Sequence, residues 1–163
     1  MHSRHLRLAL LSVACGALTT ACATGGRTET VEAGDVARSA AAARMSATLN
    51  PENRTTVMGS VVVEPTTNPN RVQIRIAVHG APPNINLPWH IHRGSCSTDL
   101  GVYGSVASYP MLGTSSDGRA ELQTVLPVAP PSGGSHVVKV FAGPGSDVVV
   151  ACGTLEQSSG GSQ

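Results

Sequence analysis

The chain has 163 residues, of which 2% are aromatic and 13% charged, and a formal net charge of +1. That length gives room for one domain, and the balanced charge leaves no basic face for a nucleic-acid backbone. The scarcity of aromatic rings also removes the stacking platforms on which single strands are held. The 18 glycines and 11 prolines, set among many Val and Thr, favour short strands and turns over helices.

Residues 1–22 read as an export signal. Arg4 and Arg7 form a positive start, Leu8 to Leu18 an apolar run too short to span a bilayer, and Thr19-Thr20-Ala21 a small-residue site before Cys22. Small residues ending in a cysteine resemble the lipobox of bacterial lipoproteins, which implies cleavage before Cys22 and lipidation of its sulfur. The aliphatic residue usual at the Thr19 position stands one place early, at Leu18. Cys15 after Ala14 is a second candidate, and secretion without lipid is the alternative. Two or more acyl chains would hold the protein on a membrane without spanning it. The expected location is the bacterial cell envelope, facing the periplasm or the exterior. Without Arg4 and Arg7 the 11 basic residues fall to nine against 10 acidic, so the exported chain carries about one negative charge. Once Cys15 has left with the signal and Cys22 carries lipid, Cys96 and Cys152 remain, an even pair in an oxidising compartment. They are expected to form a disulfide, with two buried free thiols as the alternative.

Residues 23–44 are Ala, Gly, Thr and Ser with scattered charges, too poor in large apolar side chains to bury much, and read as a flexible tether. The domain is expected over residues 45–155, with a disordered tail over 156–163. A Val- and Thr-rich strand is expected over Thr55 to Glu64, broken by the turn residues Pro65 to Asn70. Val72, Ile74, Ile76 and Val78 then alternate with Arg71, Gln73 and Arg75, as in a half-buried antiparallel strand. His79 ends this strand next to Gly80-Ala81-Pro82-Pro83 and reads as structural. Ser97 to Leu112 shows no periodicity and reads as a loop. Ser115-Ser116-Asp117-Gly118 is a turn, followed by alternation at Ala120, Leu122, Thr124 and Leu126. His136 to Ala142 places Val138 and Val140 inward, and Val148 to Cys152 closes the domain. Seven or eight short strands of this kind indicate an all-β sandwich or barrel.

The stretch with chemistry in it is Pro88-Trp89-His90-Ile91-His92-Arg93-Gly94-Ser95-Cys96. On a strand Trp89 and Ile91 point to one face and His90 and His92 to the other, about 7 Å apart along the chain. Two imidazoles at that spacing can reach one copper or zinc ion, or form no more than a polar surface.

Gly59-Ser60-Val61-Val62-Val63, then Trp89-His90-Ile91-His92 with Cys96, then Asp117-Gly118-Arg119-Ala120, then Ala151-Cys152-Gly153 resemble, in order, landmarks of the copper/zinc superoxide dismutase family. The resemblance covers residues 45–155 and implies a Greek-key barrel of eight antiparallel strands. It matches His90 and His92 to two copper ligands, and Cys96 and Cys152 to the intrasubunit disulfide. The rest of the family's site has no counterpart. Phe141 stands where another copper-ligating histidine is expected, and His136, five residues earlier, belongs to the opposite face. Ser97 to Leu112, where the bridging and zinc-ligating histidines would lie, contains none and offers only Asp99. Val149 replaces the arginine that guides superoxide. Cu(II) wants about four nitrogen or oxygen ligands, and two imidazoles are half of that. Without the arginine an anionic substrate is attracted less. Arg93 and Lys139 lie in the neighbourhood and could supply positive potential, with plain solvated surface charges as the alternative, and Met111 offers a thioether suited to Cu(I) or serves as packing.

The expectation is an exported, membrane-anchored lipoprotein whose barrel is catalytically inactive and has a binding or structural role with an unassigned protein partner. The expected cofactor is copper or none, with the missing histidines arguing against zinc. A copper-carrying module using His90 and His92, and a divergent superoxide dismutase drawing on His79 and His136, are the two other readings.

Overall fold

Strand formation follows the alternation read above. In a computed structural model, which describes residues 43–158, nearly every regular element is an antiparallel strand. The strands are β1 (Met45–Pro51), β2 (Met58–Pro65), β3 (Val72–His79), β4 (Asn86–Leu87), β5 (Trp89–Gly94), β6 (Asp99–Val102), β7 (Leu112–Gly113), β8 (Ala120–Leu126), β9 (His136–Phe141), β10 (Val149–Thr154) and β11 (Glu156–Gln157). The export signal, Cys22 and most of the tether lie outside the described residues. Among the described residues no helix is long and apolar enough to cross a membrane.

The main sheet runs in the order β6-β5-β9-β10-β1-β2-β3-β8, a curled half-barrel that realises the eight-stranded antiparallel barrel expected. From the β1-β2-β3 meander the chain leaves to build β5 and β6 at the far end of this order. It returns to add β8 beside β3, and leaves again to set β9 beside β5. The edge strands β6 and β8 share no ladder. Just beyond them the Tyr103 hydroxyl donates to the Ala129 carbonyl at 3.3 Å, and a Cβ added to Gly104 would stand 2.4 Å from Val128.

The core is the inward half of each strand. Val72, Ile74, Ile76 and Val78 are buried, as are Leu49, Val61, Val63, Leu126, Val138 and Val140. Trp89 and Ile91 are fully buried opposite Val140 and Val138, so β5 is anchored by the two residues that alternate with its histidines. The Ser115–Gly118 turn holds Gly118 at φ +72°, and a Cβ there would meet the Ala81 carbonyl oxygen at 2.1 Å. Only glycine fits both conditions.

Four expectations need correction. The strand expected from Thr55 begins at Met58 and runs to Pro65. The Ser97–Leu112 loop contains β6, which pairs with β5 through a register shift, because an edge strand needs a partner's ladder rather than its own apolar alternation. The ordered chain passes the expected end at Leu155. Glu156 and Gln157, placed in the disordered tail, pair with Ser46 and Met45, and Leu155 itself is buried. Lys139 is buried rather than solvated, for the reason given next.

Candidate functional site

The register of β5 against β9 decides which side chains meet. His90 lies opposite Lys139 and His92 opposite Val137, so the two imidazoles and the Lys139 ammonium share the face away from the core. Phe141, two residues beyond Lys139, falls on that face too, and its amide donates to the Pro88 carbonyl at 2.8 Å. The ring centres of His90 and His92 are 5.9 Å apart, and the Phe141 ring lies 5.5 Å from the first and 5.9 Å from the second.

This face is roofed. The Trp89 indole N–H donates to the Pro110 carbonyl at 2.7 Å and pins the 103–111 segment onto the barrel. Tyr109 therefore sits edge-on to both Trp89 and His90, at 5.1 Å in each case. Burial pushes the Tyr109 phenol up to about 12, and its hydroxyl donates to the Tyr103 carbonyl. The result is a cleft of about 590 Å³ whose lining includes His90, His92, Tyr109, Met111, Lys139 and Phe141.

His92 is held from behind. Its Nδ1 meets the Asp99 carboxylate at 2.9 Å, and the same carboxylate accepts from the Gly101 amide at 2.7 Å and from Lys139 Nζ at 3.1 Å. Burial opposes the charge on Asp99, but the hydrogen bonds from His92, Gly101 and Lys139 outweigh it and hold the carboxyl well below the usual carboxylate range. The side chain of Lys139 is only 6% exposed and has Asp99 as its counterion, which is why it is buried. With Nδ1 engaged, His92 is left with Nε2 buried and without a hydrogen-bond partner, on a side chain that lines the cleft. Burial and the neighbouring His92 lower the pKa of His90, so its lone pair is available at neutral pH.

The other sequence candidates fall elsewhere. His136 is on the opposite side of β9, buried and edge-on to Tyr103 at 5.0 Å, with Arg93 stacked over the same tyrosine at 5.3 Å. His79 is exposed at the end of β3. Neither joins His90 and His92, and among the described residues no three His, Cys, Asp or Glu side chains gather as a metal cluster. Val149 lines the cleft, bringing no charge to it. Cys96 and Cys152 form the disulfide, with Cα atoms 5.9 Å apart. Sequence reasoning named Asp99 and Lys139 but missed that they pair with each other beside His92. The available signal was Lys139's place in the alternation opposite Val138 and Val140, which puts it on the face used by the histidines once β9 is paired with β5.

His136 supplies a pH-dependent term. Burial and then the facing Arg93 charge lower its pKa below 6.5, against a smaller opposing hydrogen bond to the Gly134 backbone. The unfolded chain therefore takes up this proton first as pH falls. Stability from this group is full above 6.5, drops as pH falls towards the folded value and then levels. His136→Phe should flatten that limb of a stability-against-pH curve measured by urea unfolding; an identical limb in the variant would assign it to another group.

Comparison with protein-family models and with curated proteins returns no match for this sequence.

Proposed function

We propose that this protein is an exported, lipid-anchored component of the bacterial cell envelope. Its barrel, of the copper/zinc superoxide dismutase kind, binds copper through His90 and His92 without dismutating superoxide. The observation that carries the reading is the state of His92. A histidine that gives Nδ1–H to a carboxylate and leaves Nε2 buried without a partner has the arrangement found behind metal-bound histidines, where the rear partner fixes tautomer and ring orientation. Without a ligand, that nitrogen is a buried polar atom left unpaired at a cost.

The residues fit copper as cargo and do not fit the two-metal dismutase centre. For a metal–nitrogen bond of about 2.0 Å, each ring centre stands about 3 Å from the ion, so two rings on one ion lie about 6 Å apart or less. The pair at 5.9 Å meets that condition. A catalytic copper needs more nitrogen donors, and the third corner is a phenyl ring. Export and anchoring are supported by Arg4, Arg7, the apolar run and the small residues before Cys22, and by a disulfide that belongs in an oxidising compartment.

Copper titration of the exported chain, carrying Cys22→Ser to keep it free of lipid, should give one ion per chain. His90→Ala/His92→Ala should weaken binding by about a hundredfold or more. Superoxide consumption by the loaded protein should stay at background. Failure to retain copper would sink the binding reading, and dismutase-level turnover would sink the non-catalytic one.

A further inference from the structure

Given copper at His90 and His92, the reading above, we infer that the cleft selects the monovalent ion Cu(I), with the Met111 thioether as its third donor. Cu(II) seeks about four nitrogen or oxygen donors in a tetragonal arrangement, whereas Cu(I) is content with two or three ligands and accepts sulfur. The cleft presents two imidazoles, and Met111, 50% exposed, lines the same cleft.

Oxygen donors for a harder ion are withheld. Asp99 is the carboxylate nearest the histidines, and its oxygens already take His92 Nδ1, Gly101 N–H and Lys139 Nζ. Turning it to a metal would leave the buried Lys139 ammonium without a counterion, which is costly. Asp147 stands on the exposed rim and forms no three-donor cluster with the pair. The Tyr109 hydroxyl keeps its proton, given to the Tyr103 carbonyl, and a neutral phenol is a weak metal ligand.

Charge acts in the same direction. Asp99 and Lys139 neutralise each other beside His92, so the uncompensated carboxylate on the cleft lining is the exposed Asp147. The cost of taking an ion from water rises with the square of its charge, and a dication entering this cleft has a single exposed carboxylate, Asp147, to offset it. Phe141, Tyr109, Val102 and Val106 on the walls offer no donors in place of the waters that Cu(II) would otherwise keep.

The test is competition for metal on the full exported chain with Cys22→Ser. Under anaerobic conditions a Cu(I) chelator sets the Cu(I) affinity, a Cu(II) chelator in air sets the other, and Ag(I) serves as a redox-silent stand-in for Cu(I). Cu(I) should bind about a thousandfold more tightly than Cu(II) or Zn(II), and Ag(I) should displace it. Met111→Leu, a half-exposed position whose melt should not move, should weaken Cu(I) and Ag(I) about tenfold, leave Cu(II) unchanged, and remove sulfur from the metal's X-ray absorption spectrum. Cu(II) or Zn(II) bound as tightly as Cu(I) would overturn the selectivity. Unchanged Cu(I) affinity in Met111→Leu would overturn the third donor. No metal bound in either oxidation state would overturn the copper reading itself, and this inference with it.

Discussion

Phe141→His should raise the affinity of the cleft for Cu(II) and Zn(II) by about a hundredfold or more. The three rings at 90, 92 and 141 form a nearly equilateral triangle, with sides of 5.9, 5.5 and 5.9 Å. The point equidistant from their centres is about 3 Å from each, where an ion sits when its bonds to ring nitrogens are about 2.0 Å long. The phenyl ring fills the third corner and supplies no lone pair. An imidazole is of similar size, and Phe141 is only partly buried, so the exchange should leave the melt nearly unchanged. Cu(I), already content with few ligands, should gain much less. Competition titrations would show the change, and three-nitrogen hyperfine structure in the Cu(II) electron paramagnetic resonance spectrum would show its cause. An unchanged Cu(II) affinity would mean that the three rings do not converge on one ion. Superoxide turnover by the loaded variant should still fall far below the diffusional ceiling. Lys139 is neutralised by Asp99, and Val149 contributes no positive field to draw in the anion.

The fold was legible wherever one strand carried its own alternation. Val72 to Val78 and Ala120 to Leu126 each separate a buried from a more exposed face, and that period survives in the structure because these strands pair as neighbours over seven residues. Trp89 and Ile91 were legible as anchors for the same reason. β6 and β11 were not: Leu100 and Val102 alternate over only four residues that include Gly101, Glu156–Gln157 has no apolar residue, and both are strands because β5 and β1 present open edges to them. The site divides along the same line. His90 and His92 announce themselves by local spacing. The Asp99–Lys139 pair joins residues 40 positions apart, and no local signal distinguishes a buried lysine with a counterion from a solvated one. Phe141 was expected at a ligand position and now has a measurable place, against both imidazoles.

Reducing Cys96–Cys152 should lower the melting temperature by about 15 °C. The two cysteines are 56 residues apart in sequence. In the chain-entropy account, closing a loop of that size stabilises the fold by about 4 kcal/mol, and in a domain of roughly this length that corresponds to the stated shift. The bridge also lies where it bears on the cleft. Cys152 is on β10, whereas Cys96 is in the turn between β5 and β6, and β9 separates those strands in the sheet order, so the bond ties the β5–β6 turn to the barrel wall. Asp99 begins β6 three residues past Cys96 and depends on that turn for its reach to His92 and Lys139. Releasing the turn loosens the partner that orients His92, so copper affinity should fall about tenfold in the reduced chain, at temperatures where it is still folded. Calorimetry with and without reductant measures the first effect, and Cys96→Ser/Cys152→Ser repeats it without reductant touching the metal. An unchanged melt after verified reduction would count against a stabilising bridge. A lowered melt with unchanged copper affinity would show that β6 holds Asp99 in place through its ladder with β5 alone.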